Sequence, residues 1–245
     1  MAFNNYTGAN PKAVVEHLII DWIESVSKML ESKPEVYIAL SGGNTPQLLF
    51  EILARTYSRA LPWNKLHFFW VDERWVPFES PESNYGNAKR LLFDHIEIDN
   101  SNIHPIRVSE LSPKDEASRY ENEIVGVVPL INKYPVFDII FLGMGDDGHT
   151  ASIFPGNEYL FNDTNICVVT KHPQTAQIRL TLTGKAINMS KNIIFLITGD
   201  KKANVLKIVF EDKYRIYPVQ FIRPVNGNLF WYLDREAGRF ISKYL

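Results

Sequence analysis

Helical spacing of apolar residues appears first over residues 11–26, where Val14, Val15, Leu18, Ile19, Trp22, Ile23 and Val26 recur at intervals of three and four. Asn10 is placed to cap this helix, and Pro11 suits its first turn. Lys33-Pro34 closes the run, and the unbroken apolar stretch 36–40 then predicts a buried strand. Pro46 opens a helix that carries Leu48, Leu49, Ile52 and Leu53, and residues 66–71 predict a second strand. Helices are expected over 85–93 and, from Ser112-Pro113, through Val125; residues 136–142 predict a strong strand. Further strands are predicted over 166–170, 178–182 and 192–198, with helices near Gly184 and Asp200. A strand over 229–233 and a helix over 234–242 finish the chain. Strands alternating with helices predict a three-layer α/β fold, a mostly parallel sheet with helices on both faces. No repeat, low-complexity tract or linker interrupts residues 1–245, so one domain is expected. In such folds ligands gather at the carboxyl ends of strands, which directs attention to the loops that follow them.

Composition narrows the function classes. The 245 residues are 45% hydrophobic and 22% charged, which excludes wholesale disorder. Basic and acidic side chains number 26 and 28, a net charge of −2, so no bulk charge draws the chain to nucleic acid or a membrane surface. A single cysteine, Cys167, allows neither an intrachain disulfide nor a cysteine-based zinc site and reads as core filler. Residues 1–10 are polar with no apolar stretch of a secretory leader, and no apolar run reaches the ~18 residues of a membrane span, so a cytosolic location is expected.

Three loops carry candidate chemistry. Ser41, Gly42, Gly43, Asn44 and Thr45, with Pro46, lie between a strand and a helix; two glycines and a helix start make a plausible anion cradle, or simply a tight turn and cap. The Gly-Lys-Ser/Thr ending of a Walker loop is missing. In Asp72-Glu73-Arg74, followed by Ser83-Asn84, Arg74 can fork onto a phosphate or carboxylate while Asp72 and Glu73 orient it; a self-neutralising surface cluster is the alternative. The third loop is Gly143-Met144-Gly145-Asp146-Asp147-Gly148-His149-Thr150-Ala151-Ser152. Its glycines match a dinucleotide fingerprint by spacing, but two aspartates would face the pyrophosphate, and the following strand leads to Lys171-His172 rather than to an acidic residue. A carboxylate two residues from a histidine can fix its tautomer and raise its basicity, so Asp147 and His149 read as the orienting half of a hydrolytic constellation, against the plainer reading of a structural turn. Arg179, Lys201 and Lys202 follow or lie within strands and singly read as solvated charges. His17, His67, His95, His104 and His172 show no ligand spacing and are assigned to surface or packing roles. With no Gly-x-Ser-x-Gly and no His-Glu-x-x-His, a metal-free reaction through histidine-activated water fits what remains.

Taken together, and in this order, these loops resemble the 6-phosphogluconolactonase family. The resemblance extends through Ile153-Phe154-Pro155, Arg179 in Arg-Leu-Thr-Leu-Thr, and Thr198-Gly199 with the lysine that follows, over roughly residues 10–240. It implies a Rossmann-like fold related to glucosamine-6-phosphate deaminase and ribose-5-phosphate isomerase. The implied activity is hydrolysis of 6-phospho-D-glucono-1,5-lactone to 6-phosphogluconate, in the oxidative pentose phosphate pathway. His149, oriented by Asp147, would be the base. The Ser41–Thr45 turn, Arg74 and one of Lys201 or Lys202 would hold phosphate, with Arg179 in reach. Asp72, Glu73, Asn84, Gly145 and Gly148 would support them, and backbone N–H groups near Gly145–Gly148 are the expected oxyanion donors. No cofactor and no metal are expected; the expected partner is a small sugar-phosphate lactone, and the expected state a monomer or weak homodimer. The deaminase is the rival enzyme and a non-catalytic sugar-phosphate sensor the rival binding module. The deaminase pattern has Glu where this chain has Phe154, and tends to Tyr where it has Arg74.

Overall fold

The computed structural model describes residues 4–108, 111–211 and 214–244. In chain order the elements begin with β1 (Asn4–Gly8), α1 (Pro11–Leu30), β2 (Val36–Leu40), α2 (Asn44–Thr56), β3 (Leu66–Trp70), β4 (Asp72–Arg74), α3 (Asn84–Leu91), β5 (Ile103–His104) and α4 (Pro113–Val127). They continue with β6 (Leu130–Ile131), β7 (Tyr134–Pro135), β8 (Ile139–Leu142), β9 (Cys167–Lys171), β10 (Ile178–Leu182), α5 (Gly184–Asn188), β11 (Asn192–Ile197), α6 (Ala203–Glu211), β12 (Asn228–Asp234) and α7 (Arg235–Gly238).

Seven strands form an all-parallel sheet in the order β1-β12-β11-β8-β2-β3-β5, flanked by helices. Its centre is apolar throughout: all four residues of β8 are buried, and Ile38, Ala39, Phe68, Phe69, Ile193 and Phe195 are fully enclosed. Such runs are what a strand covered on both faces requires. Helix α1 starts where expected, with Asn10 Oδ1 accepting the Ala13 N–H at 3.0 Å, and its buried stripe faces the sheet. Helix α4 is pinned by Tyr120, whose hydroxyl accepts from the Trp70 N–H (2.7 Å) and donates to the Trp70 carbonyl (2.9 Å). Those bonds satisfy both backbone groups at the buried end of β3.

From β2 the chain steps outward to β3, whereas from β8 it steps the opposite way to β11. The loops leaving β2 and β8 therefore diverge and leave a crevice at the carboxyl edge, the usual position for a ligand in such sheets. A second, antiparallel sheet, β4-β10-β9, stands beside this edge with Arg179 opposite Arg74 and Thr181 opposite Asp72. The two-stranded β6–β7 hairpin lies apart from both sheets.

Several boundaries differ from those predicted. Residues 72–74 are a strand rather than a loop, and 167–171 and 178–182 pair in the antiparallel sheet rather than the parallel one. The strand expected over 136–142 starts at Ile139; just before it the Asp138 N–H donates to the Tyr37 carbonyl at 2.9 Å, and the Asp138 carboxylate binds Lys33, Lys191 and the Tyr37 N–H. The last helix stops at Gly238, short of 242. Of the polar N-terminal stretch, residues 1–3 lie outside the described residues; from Asn4 it supplies edge strand β1, paired parallel to β12. No described helix is long and apolar enough to cross a membrane.

Candidate active site

A cavity of about 460 Å³ opens at the crevice, lined from the loops after β2, β3, β8 and β11 and from the antiparallel sheet. The β2 loop contributes Ser41, Gly42, Gly43, Asn44 and Thr45. Gly43 has φ +110°, a conformation open to glycine, and precedes α2, which starts at Asn44 rather than Pro46 without a side-chain cap. The N–H groups of that first turn are left for a ligand, and the helix dipole favours an anion there. At Gly42 a Cβ would stand 1.8 Å from Asn84 Oδ1, so only glycine lets the two loops meet. Ser41 acts differently from the reading of its hydroxyl as a ligand donor: the group donates to the Phe141 carbonyl at 2.9 Å and ties β2 to β8. Thr45 Oγ1 lies 2.8 Å from Thr198 Oγ1 and joins the cradle to the end of β11.

Arg74 and Arg179 project from facing positions of β4 and β10 and both line the cavity. Like charges directly across a strand pair oppose folding, and a buried guanidinium N–H wants an acceptor. Both Nε atoms are buried with no hydrogen-bond partner. Burial and then the charge of Arg74 push the Arg179 guanidinium below its ordinary value. Together these features leave two facing guanidiniums at the cavity wall without acceptors for their Nε–H groups in the protein. Arg74 is not oriented by the adjacent acids through its charge: Nη1 donates to the Glu82 carbonyl at 2.7 Å, and no ion pair among the described residues involves Arg74. Glu73 instead accepts from the N–H groups of Arg74, Asn84 and Tyr85 and from the Ser83 hydroxyl, fixing the loop that leads into α3. Burial lifts its carboxyl to about 7 against those donors. Asp72 accepts from Ser152 Oγ at 2.7 Å and from Asn84 Nδ2, so it fastens the β8 loop to the β3 loop.

On the β8 loop His149 Nδ1 lies 2.5 Å from Asp147 Oδ1, which also accepts the His149 N–H at 3.1 Å. The contact assigns the Nδ1 hydrogen toward the carboxylate and leaves Nε2 as the free, basic nitrogen. Burial alone would raise Asp147; the hydrogen bond and charge of His149 outweigh it and bring the carboxyl down to about 2. Gly145 makes room for this pair, since a Cβ there would lie 2.1 Å from His149 Nδ1. Gly148 has φ +78° and backs onto Tyr217. The N–H groups of Gly145 and Gly148 donate to the carbonyls of His149 and Gly145, so these two are unavailable as the expected oxyanion donors.

Lys202 lines the cavity and donates to Asp146 at 2.5 Å, whereas Lys201 is exposed and outside the lining. His172, assigned above to surface or packing, also lines the cavity, beside Phe154. Sequence spacing did not reveal it; its one signal is its place at the turn of the hairpin that carries Arg179. Cys167 is buried, and burial raises its thiol far above the ordinary range. No group of three or more His, Cys, Asp or Glu among the described residues is placed to hold a metal ion.

Residues 9–231 match the family model described as glucosamine-6-phosphate isomerases/6-phosphogluconolactonase. The chain is 47% identical over 209 residues to a 6-phosphogluconolactonase of Haemophilus influenzae, covering 84% of this chain and 88% of that one. The chain belongs to this family, on its 6-phosphogluconolactonase side. Among solved family structures, the 6-phosphogluconolactonase of Trypanosoma brucei superimposes with a TM-score of 0.87 at 28% identity, over 98% of this chain and 99% of that one. A monomeric glucosamine-6-phosphate deaminase shares the fold alone, with a TM-score of 0.80 at 20% identity over 97% and 100% of the two chains.

Proposed function

We infer that the chain hydrolyses 6-phospho-D-glucono-1,5-lactone to 6-phosphogluconate, the lactonase step of the pentose phosphate pathway, with His149 as general base. The observation that carries the mechanism is the 2.5 Å Asp147–His149 contact, with His149 lining a cavity that Arg74, Arg179 and Lys202 also line. His149 Nε2 takes a proton from water, and the resulting hydroxide attacks the lactone carbonyl. As the tetrahedral centre collapses, the C1–O bond to the ring oxygen breaks and that oxygen takes the proton from His149. The new carboxylic acid then ionises. Asp147 stabilises the imidazolium formed midway. The 6-phosphate sits among the first-turn N–H groups of α2, Arg74, Arg179 and Lys202, which must exchange Asp146 for the ligand. Anchoring that unreactive end turns binding energy into orientation of the carbonyl. Lys201, outside the lining, takes no part in this grip.

The packing around His149 favours this reading over the deaminase. Moving protons along an open-chain sugar needs a second acid or base beside the imidazole. The neighbour at the position of the deaminase Glu is the ring of Phe154, 4.8 Å from His149 and buried. His149→Ala should lower kcat by about 10²–10⁴-fold with the fold unchanged. Turnover within about threefold of the unmodified protein would remove His149 from the role, and ammonia release from glucosamine 6-phosphate would favour the rival.

A further inference from the structure

His172 stands at the turn between β9 and β10, where its N–H donates to the Gln177 carbonyl at 2.9 Å and its carbonyl accepts from Ala176 at 2.9 Å. Its Nδ1 accepts from the N–H groups of Gln174 and Thr175, each at 3.3 Å. A nitrogen that accepts cannot carry the hydrogen, so the neutral ring bears it on Nε2. No hydrogen bond among the described residues uses that Nε2, and the ring lines the cavity. Phe154 lies between the two imidazoles of the site, 4.8 Å from His149 and edge-on to His172 at 5.0 Å. His172 therefore belongs to the His149 side of the cavity. Arg74, Arg179, His149 and Asp147 are the charged or titratable groups around it. Burial first, then the Arg179 charge, push the imidazole below its ordinary value.

We propose that His172 is a sugar-positioning residue: its Nε2–H donates to a hydroxyl or ring oxygen of the bound phosphosugar and sets how the lactone lies against His149. The inference rests on the lactonase reading. The arginines and Lys202 supply the charge that recognises phosphate, and a neutral directional donor suits the uncharged sugar between phosphate and carbonyl.

Two variants separate this role from a structural one. His172→Asn keeps a short side-chain acceptor for the Gln174 and Thr175 N–H groups, as in an Asx-turn, but loses the distal donor. His172→Gln reaches farther and carries an N–H near the place of Nε2. In His172→Asn, KM for the lactone and Kd for 6-phosphogluconate, by calorimetry, should each rise about fivefold, the worth of one ordinary hydrogen bond, and kcat should fall about fivefold as the lactone loses its set against His149. Its Tm should stay within about 2 °C, its affinity for inorganic phosphate should not move, and His172→Gln should restore most of the loss. Unchanged KM and Kd in His172→Asn would overturn the proposal. A parallel loss of inorganic phosphate affinity would also overturn it, by placing the ring in the phosphate grip. Absence of turnover in the unmodified protein would instead overturn the lactonase reading, and the 6-phosphogluconate titration would still decide the role of His172.

Discussion

At Asp147 the balance of forces has a sign that experiment can read. Its carboxyl lies at about 2, below the ordinary value of ~3.9, because the interaction with His149 outweighs burial. A depressed value in the fold contributes stability that is complete above the ordinary value and is lost as pH falls through about 2. The group is thus ionised wherever the enzyme works. The ¹³C shift of the Asp147 carboxyl should hold its ionised position down to about pH 4 and move only below about pH 3. A transition between about pH 5 and 7 would contradict the pairing. Asp147→Asn replaces the acceptor facing Nδ1 with an amide of mixed character and should lower kcat by about 10²-fold or more, with Tm little changed.

The opposed arginines of β4 and β10 belong to the scale of elements. Two like charges facing across a strand pair oppose folding by about 0.2–1 kcal/mol. Arg179→Met removes one of them and keeps an apolar stem. It should raise Tm of the unliganded protein by about 1–3 °C while KM for the lactone rises about tenfold or more. A lower Tm would mean that the pair stabilises the strands and is no ligand device. This sheet also marks where the sequence stops being readable. The runs at 166–170 and 178–182 gave strands because their apolar content is local information, and Asn10 and Ser112 cap their helices through contacts three residues away. Pairing of β10 with a segment more than a hundred residues earlier is not local, and Asp-Glu-Arg has no strand pattern of its own. β1 was hidden likewise, since its polar residues become a strand only by borrowing the ladder of β12. In the site, Asp147 and His149 were legible because a single residue separates them. His172 was not, because only the fold brings it beside Phe154.

For the whole molecule, the parallel sheet acts as a frame whose carboxyl edge delivers four loops to one place, and few of the bonds that fix them are spent on the ligand. Ser41 ties β2 to β8, Thr45 meets Thr198, Asp72 holds Ser152, and Glu73 holds the entry to α3. The ligand then completes the electrostatics rather than the fold. At about a hundred times its Kd, 6-phosphogluconate should stabilise the protein by about 2.7 kcal/mol, or roughly 5–10 °C in Tm. The Arg179→Met protein should show a much smaller rise at the same concentration. A full rise in that variant would place the phosphate elsewhere.

Facing guanidiniums whose Nε atoms find no acceptor within the protein give the cavity a standing attraction for anions. Hydrolysis adds a carboxylate to a molecule that already carries phosphate, so each turnover leaves behind an occupant more anionic than the one that entered. That occupant meets the same cations with more charge, so rising salt should loosen the product more than the lactone.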